Sequence, residues 1–208
     1  MIDLYSVPTA NGQRVHIMLE ETGLPYTAHM VDLVGGQHLK PGFIKKNPFG
    51  RAPVLVDHDG PNGKAITVFE GHGMLFYLAE KSGQFYPQDL AVRAEIHTWM
   101  SAISSNLSPA FAAQFWFTTI SPEPSQVALD RAVSEAHRGL AAIESHLKGR
   151  EFMAGNEYTI ADIHTYPVAA TSASRLEGGL EKHPEIKRWM TGVSQRDGVM
   201  RGMAVLNG

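Results

Sequence analysis

Hydrophobic and polar positions in the first eighty residues switch between the period of a strand and the period of a helix. Near the N-terminus Ile2 and Leu4 fall on one face of a strand, whereas the next apolar residues recur at helical spacing until Gly23, a typical C-terminal cap. Two β-branched runs follow, separated by Asp59-Gly60 and Asn62-Gly63, which predict a hairpin. The predicted elements are strands at 2–6, 26–33, 53–56 and 65–69, and helices at 11–22, 41–46 and 70–80.

The rest of the chain predicts helices alone. Residues 82–90 read as a linker, so we expect an α/β domain over residues 1–83 and an all-helical domain over residues 84–208. In the second domain Pro109 is expected to break or kink its helix, and Thr159 and Asp162 have the spacing of an N-terminal capping box. The predicted helical segments are an apolar stripe over residues 92–103, an amphipathic helix over 129–147 and a last helix over 184–196.

The amino-acid composition excludes several kinds of site. The chain has no cysteine, which excludes disulfides, thiolate metal sites and cysteine nucleophiles. Any thiol chemistry must therefore use a thiol that arrives with a ligand. Ten histidines are present, but their spacing matches no metal-binding motif, so we expect solvated or capping histidines and no metal cofactor.

Charge and hydropathy argue against two classes of partner. The net charge is −3, from 18 basic and 21 acidic residues, which gives no electrostatic reason to expect nucleic acid or an anionic membrane. No stretch approaches the roughly 20 apolar residues that span a bilayer. The first residues form no secretory signal, and a cytoplasmic location is expected.

Four motifs in order resemble one known family. They are the opening residues 1–12, the segment Asn47-Pro48-Phe49-Gly50-Arg51-Ala52-Pro53, Phe69-Glu70 before a helix, and the late box at residues 159–162. Together they resemble the glutathione transferase superfamily over nearly the whole chain, and most closely the bacterial Nu-class, Ure2-like disulfide-bond reductases. The resemblance implies a thioredoxin-like first domain, an all-helical second domain and glutathione as cosubstrate.

The resemblance also implies how the glutathione backbone and γ-glutamyl group would bind. Ala52-Pro53 is expected to be cis, so that Ala52 pairs with the cysteinyl unit; on physics alone an ordinary trans proline opening a strand is favoured. Glu70 and Gly71 would bind the γ-glutamyl ammonium and carboxylate at a helix N-terminus, although Glu70 alone is more typical of a helix-dipole partner. The family pattern is Glu-Ser, and Gly71 lacks the serine hydroxyl.

A second departure from the family lies at the glycyl end of the ligand. His38 stands where relatives usually have a glutamine that binds the glycyl carboxylate, and histidine can still donate a hydrogen bond. Arg51 and Lys40 could assist, although a solvated basic face explains them equally well. By the same resemblance Arg131 in the helical domain would reach the ligand, and a surface arginine is the alternative.

Thr9 and Asn11 are the candidates for activating the thiol. They stand at the mouth of the first helix, where hydroxyl, amide and helix dipole all favour an anion. The alternative is that Asn11 is only a helix cap and Thr9 a turn residue. Tyr5 lies within the strand, where its ring is expected to pack in the core.

Three adjacent aromatic residues, Phe115, Trp116 and Phe117, cannot all face inward on one helix. Phe115 and Trp116 are therefore candidates for an apolar substrate pocket beside the thiol, and dimer packing is the alternative left open.

The expected function is reduction of a disulfide by glutathione or addition of its thiolate to an electrophile. The resemblance also implies that the chain forms a homodimer. The alternative is a transferase fold that serves as a non-catalytic binding or regulatory module, which Gly71 and His38 keep open.

Overall fold

Residues 1–207 are described by a computed structural model and form two compact units. The first unit comprises residues 1–86 together with the chain from Ser194 onward, and the second comprises residues 87–193. The expected helical domain ran without interruption to residue 208. The structure differs, because the chain from Ser194 packs with the first unit.

A four-stranded mixed sheet forms the centre of the first unit, in the order β2-β1-β3-β4. β1 pairs parallel with β2 and antiparallel with β3, and β3 pairs antiparallel with β4, which confirms the predicted hairpin. Alternation buries one face of β1, where Ile2 and Leu4 lie in the core. The strands are β1 Ile2–Ser6, β2 Tyr26–Met30, β3 Val54–Asp57 and β4 Ile66–Phe69.

Helices account for the rest of the regular structure. The described helices are α1 Ala10–Thr22, α2 Pro41–Ile44, α3 Gly71–Ser82, α4 Leu90–Ala102, α5 Ser108–Phe115, α6 Gln126–His146, α7 Ile160–Arg175, α8 Pro184–Ser194 and α9 Asp197–Ala204. Short 3₁₀ turns lie at Gln37–Leu39 and Pro61–Gly63, and π-helical turns at Ile103–Leu107 and Trp116–Ile120.

β2 is shorter than predicted, because the chain turns at Asp32. The Asp32 carboxylate accepts a hydrogen bond from the Gly35 amide (2.7 Å), and the Asp32 amide donates to the Gln37 side chain (2.8 Å). These bonds close a local turn that competes with the strand. The chain then leads into the 3₁₀ turn that carries His38.

The sequence did not predict α9. Two glycines, Gly198 and Gly202, lower its helical propensity, and both are buried against α1. A Cβ at Gly202 would lie 2.5 Å from the Ile17 Cα, and one at Gly198 would lie 2.9 Å from the Glu21 Cα. Close packing on α1 therefore requires glycine at both positions, and this tertiary contact outweighs the propensity.

Of the two outcomes expected at Pro109, a break or a kink, the break is absent: the helical path continues, although a π-helical turn separates α4 from α5. The π-helical turn at Ile103–Leu107 precedes it directly, and Ser108 at the start of α5 keeps right-handed helical angles. A wider turn accommodates a proline that cannot donate a backbone hydrogen bond. The path therefore continues from α4 into α5.

Candidate functional site

No side chain caps the N-terminus of α1. Thr9 is the N-cap residue in an extended conformation, yet its side chain makes no capping hydrogen bond. Asn11, the second residue of the helix, is exposed like Thr9. The cap position therefore belongs to Thr9 and not to Asn11. Gly12 allows the helix to begin this close to β1, since a Cβ there would lie 2.0 Å from the Val7 carbonyl oxygen.

The peptide bond between Ala52 and Pro53 is cis, as predicted. A buried asparagine holds the loop before it: Asn47 Nδ2 donates to the Arg51 carbonyl (2.7 Å), and Asn47 Oδ1 accepts from the Phe49 amide (3.0 Å). Within residues 1–207 the Ala52 amide and carbonyl form no backbone hydrogen bond. The loop therefore fixes the position of the Ala52 amide and carbonyl, although neither group pairs with another backbone group in residues 1–207.

The His38 segment packs against this loop. Gly50 has a φ of 58°, and a Cβ there would lie 3.2 Å from the His38 carbonyl oxygen. The His38 side chain is half-buried, and its Nδ1 has no hydrogen-bond partner among the described residues. Arg51 is exposed next to it along the loop. The structure therefore brings His38, Arg51 and Ala52 into one neighbourhood.

A second open helix N-terminus lies at α3. Phe69 ends β4 opposite Val54 of β3, and Glu70 follows as the N-cap residue of α3 with a φ of 69° and a ψ of 126°. The exposed Glu70 side chain makes no capping hydrogen bond. A non-glycine residue with positive φ is strained, and such strain is concentrated at functional sites.

Arg14 is a charged residue at this site that the sequence analysis missed. It lies on α1 with 2% of its surface exposed, and its Nε donates to the Ala10 carbonyl (3.3 Å). A Cβ at Gly71 would lie 2.7 Å from the Arg14 Cδ. Arg14 therefore lies directly against the first residue of α3. The available signal was its spacing: Arg14 falls four residues before the buried Met18, on the inward stripe of α1.

Burial and a neighbouring charge set the ionisation of Arg14. Desolvation lowers the pKa of the guanidinium to about 10, and the negative charge of Glu70 opposes that fall. A pKa of about 10 leaves Arg14 protonated at neutral pH. The two residues thus supply opposite charges at the start of α3.

Tyr5 takes no part in the α1 terminus. Its ring packs against the cluster of Val7, Val31, Phe43 and Val54, as the sequence predicted for a core position. The ring also stacks on His29, with 4.9 Å between the ring centroids.

The remaining candidates lie in the second unit. Arg131 is largely exposed and pairs with Glu135 at 2.8 Å. Both residues, with Phe117 and Asn106, line a groove of about 450 Å³ between α5 and α6. Phe115 and Trp116 are 39% and 49% exposed, which confirms that the aromatic run does not face inward throughout.

Neither of these two rings lines the groove; the neighbouring Phe117 does. Phe115 is instead covered by the Arg175 guanidinium, whose central carbon lies 4.8 Å from the ring centroid. Phe115 and Trp116, which the sequence analysis named as pocket residues, therefore do not line this groove.

Two kinds of feature are absent from residues 1–207. No group of three or more histidine and acidic side chains in this range is arranged to hold a metal ion. No helix in the same range is both long enough and apolar enough to cross a membrane.

Comparison with known proteins finds relatives along nearly the whole chain. Residues 10–81 match "Glutathione S-transferase, N-terminal domain", and residues 94–197 match "Glutathione S-transferase, C-terminal domain". The disulfide-bond oxidoreductase YghU of Escherichia coli (strain K12) is 36% identical, over 98% of this chain and 74% of its own length. The disulfide-bond oxidoreductase YfcG of the same strain is 32% identical, over 94% and 91%.

A solved structure gives the same fold. A glutathione transferase from Pseudomonas putida, with one glutathione disulfide bound per protein subunit, has a TM-score of 0.92 and 35% sequence identity. The match covers 98% of this chain and 91% of that one.

Proposed function

Because this chain belongs to the glutathione S-transferase family, we propose that it reduces small disulfides with glutathione as the reductant. The observation that carries the proposal is the pair of helix N-termini in the first unit, at α1 and α3, neither of which has a side-chain cap. Uncapped N-termini offer free amides and a positive dipole end to an anion. Glutathione brings two carboxylates and, when ionised, a thiolate.

The first unit offers a partner for each part of the tripeptide. Ala52 would pair through its amide and carbonyl with the cysteinyl backbone, and the start of α3 at Gly71 would receive the γ-glutamyl carboxylate. Glu70 would bind the ammonium of the same group. His38 and Arg51 would bind the glycyl carboxylate, supported by the free His38 Nδ1. Arg131 is proposed as a further ligand contact.

Thr9 and Asn11 would stabilise the thiolate. A free thiol titrates near pH 8.5, so a site that uses thiolate at neutral pH must favour the anion. The exposed hydroxyl and amide stand at the uncapped start of α1, where the helix dipole adds to their effect. Because the chain has no cysteine, the attacking sulfur must be that of glutathione.

The reaction consists of two thiol–disulfide exchanges. The thiolate of bound glutathione attacks one sulfur of the substrate disulfide, forms a mixed disulfide and releases the other sulfur as a thiolate that takes up a proton. A second glutathione thiolate attacks the glutathione sulfur of the mixed disulfide and releases the second substrate thiol. Two glutathione molecules are oxidised to one glutathione disulfide, and one substrate disulfide is reduced to two thiols.

The relatives favour reduction over conjugation. YghU and YfcG are named disulfide-bond oxidoreductases, and the Pseudomonas putida protein holds glutathione disulfide, which is the oxidised product of this reaction. A cytoplasmic location, where glutathione is kept reduced, would suit the same chemistry.

The test combines binding with turnover. Glutathione binding is measured by calorimetry, and reduction of a small dialkyl disulfide is followed through NADPH consumption by added glutathione reductase. We expect binding and protein-dependent turnover. Binding without turnover of a disulfide or an electrophilic aryl halide would favour the non-catalytic module, and turnover of the halide alone would assign conjugation. Absence of binding would contradict the proposal.

We also propose a two-fold homodimer, since large apolar side chains are exposed, among them Trp116, Phe76 and Val127. Sedimentation should give twice the chain mass at micromolar concentration, and a monomer would contradict this.

A further inference from the structure

We infer that Ser6 and His16 are positioning residues for the proposed thiolate site. Their hydrogen bond fixes the first turn of α1, which carries Asn11 and directly follows Thr9. The inference rests on the proposed function, because it concerns the two residues that would stabilise the thiolate of bound glutathione. It starts from a pair of polar side chains in the core: Ser6 ends β1, His16 lies on α1, and both are fully buried.

The Ser6 hydroxyl lies against two successive turns of α1. His16 Nε2 forms a hydrogen bond with the Ser6 Oγ at 2.9 Å. Gly12 lies four residues earlier, on the same face of the helix, and a Cβ there would lie 2.5 Å from the Ser6 Oγ. The end of β1 therefore contacts α1 at its first turn and is hydrogen-bonded to it at its second turn.

The same hydroxyl also reaches the turn that leads into Thr9. Ser6 Oγ donates a long hydrogen bond to the Val7 carbonyl (3.4 Å), and the Thr9 amide donates to that carbonyl at 2.8 Å. A serine hydroxyl has a single proton, so in this arrangement His16 Nε2 is the donor to Ser6. One chain of hydrogen bonds thus leads from the second turn of α1 to its N-cap residue.

A buried polar pair at this place contributes direction rather than apolar burial. Replacing such a pair by apolar side chains of the same shape can leave stability nearly unchanged, so burial alone does not require it. A satisfied buried hydrogen bond, however, specifies one arrangement of the elements that it joins. Here those elements are the end of β1 and the helix whose N-terminus would bind the thiolate. The pair would therefore set the distance of the Thr9 hydroxyl and the Asn11 amide from the sulfur.

Ser6→Ala tests the inference, because it removes the hydroxyl with little change in volume. Disulfide turnover at saturating glutathione should fall by about tenfold or more, since small displacements of reacting groups have large effects on rate. Glutathione affinity, measured by calorimetry, should change by at most about twofold, because the proposed contacts with the tripeptide backbone and carboxylates lie elsewhere. The pKa of the bound glutathione thiol, measured from thiolate absorbance, should rise towards its free value near 8.5.

Ser172→Ala is the matched control. Ser172 is equally buried, on α7, and its hydroxyl donates to the Val168 carbonyl (2.8 Å). This variant also loses a buried hydroxyl, but its turnover and its bound-thiol pKa should match wild type. Wild-type turnover and thiol pKa in Ser6→Ala, or equal losses of turnover in both variants, would overturn the inference. Failure of wild type to bind glutathione would instead overturn the proposed function and this inference with it.

Substitutions of His16 give an independent test should Ser6→Ala fail to fold. His16→Gln keeps an amide donor for the Ser6 hydroxyl and should retain most of the turnover, whereas His16→Leu has no donor and should lose about tenfold. In Ser6→Ala/His16→Leu the two losses should not multiply, because both substitutions break the same bond. Equal turnover by His16→Gln and His16→Leu, or a loss in the double variant equal to the product of the single losses, would overturn the inference.

Discussion

Side chains cap the N-terminus of α7, whereas no side chain caps the N-terminus of α1 or of α3. At α7 the Thr159 hydroxyl accepts from the Ala161 amide (3.2 Å), and the Asp162 carboxylate accepts from the Thr159 amide (3.0 Å). The same carboxylate accepts from the Met153 amide (2.9 Å) and from the Trp189 indole (2.8 Å). The Thr159 and Asp162 side chains thus form their hydrogen bonds within the protein, and both side chains are buried.

At α1 and α3 the corresponding side chains are exposed and cap nothing. Thr9 has a hydroxyl suited to capping, but its side chain makes no such bond. Glu70 has an acceptor at the cap position and also leaves it unused. In the proposed function the capped terminus stabilises its own fold, whereas the amides of the two uncapped termini would bind the ligand.

Asp162→Ala should have the largest effect on stability. It leaves the amides of Thr159 and Met153 and the Trp189 indole without their acceptor in a buried site, at a cost of about 3 to 5 kcal/mol in the free energy of unfolding. Urea denaturation measures the change. Asp162→Asn keeps one acceptor oxygen and should lose less. An unfolding midpoint like that of wild type for Asp162→Ala would contradict the structural role of the closed terminus.

His16 makes the free energy of unfolding depend on pH. It is buried on α1 and hydrogen-bonded to Ser6 (2.9 Å), and burial lowers its pKa to about 4. Between pH 6.5 and 4 the unfolded chain therefore binds a proton that the folded chain does not, so acid favours unfolding. The contribution amounts to about 3 kcal/mol over this range.

The measurement compares urea unfolding of wild type and His16→Gln across those pH values. As the pH is lowered, the free energy of unfolding should fall more steeply for wild type than for His16→Gln. His137→Gln, at an exposed position, should leave the wild-type slope unchanged. Parallel curves for wild type and His16→Gln would show that His16 takes up its proton equally in both states.

Asn11→Ala should lower activity without lowering stability. Loss of one donor to an anion in a preorganised site costs about 100-fold in turnover, and less where solvent reaches the sulfur. Glutathione affinity should change little, because most proposed contacts lie elsewhere. Tyr5→Phe is the control, since its ring packs in the core and its hydroxyl is assigned no role. Loss of activity in Tyr5→Phe with an active Asn11→Ala would reverse the assignment.

Thr9→Ala should have the smallest effect on stability. Since Thr9 makes no capping bond, its loss should cost less than about 0.5 kcal/mol. Asp89 is the matched comparison, because its carboxylate accepts from the Val92 amide at the start of α4 (2.9 Å). Asp89→Ala should cost about 1 kcal/mol. Equal losses would mean that Thr9 does act as a cap.

The local features of the fold could be predicted from the sequence. The hairpin, the capping box at Thr159 and the cis bond before Pro53 each depend on neighbouring residues or on a motif of the family, and the structure has all three. The candidate site residues of the first unit were also named from these motifs. Their chemical roles remain predictions.

The features that sequence reasoning missed depend on contacts between distant segments. α9 requires Gly198 and Gly202, whose low helical propensity is outweighed by packing on α1. Arg14 was missed for a related reason: its importance becomes visible only when Gly71, far along the chain, is brought against it. Neither contact has a local signature.

The pKa of the bound glutathione thiol tests the central claim most directly. Ultraviolet absorbance of the thiolate is titrated against pH with glutathione bound to wild type, Asn11→Ala and Tyr5→Phe. The open terminus of α1 should lower the thiol pKa in wild type by about one unit or more from its free value near 8.5. Asn11→Ala should raise it back towards that value, and Tyr5→Phe should not. Bound glutathione that titrates in wild type as it does in free solution would contradict the account.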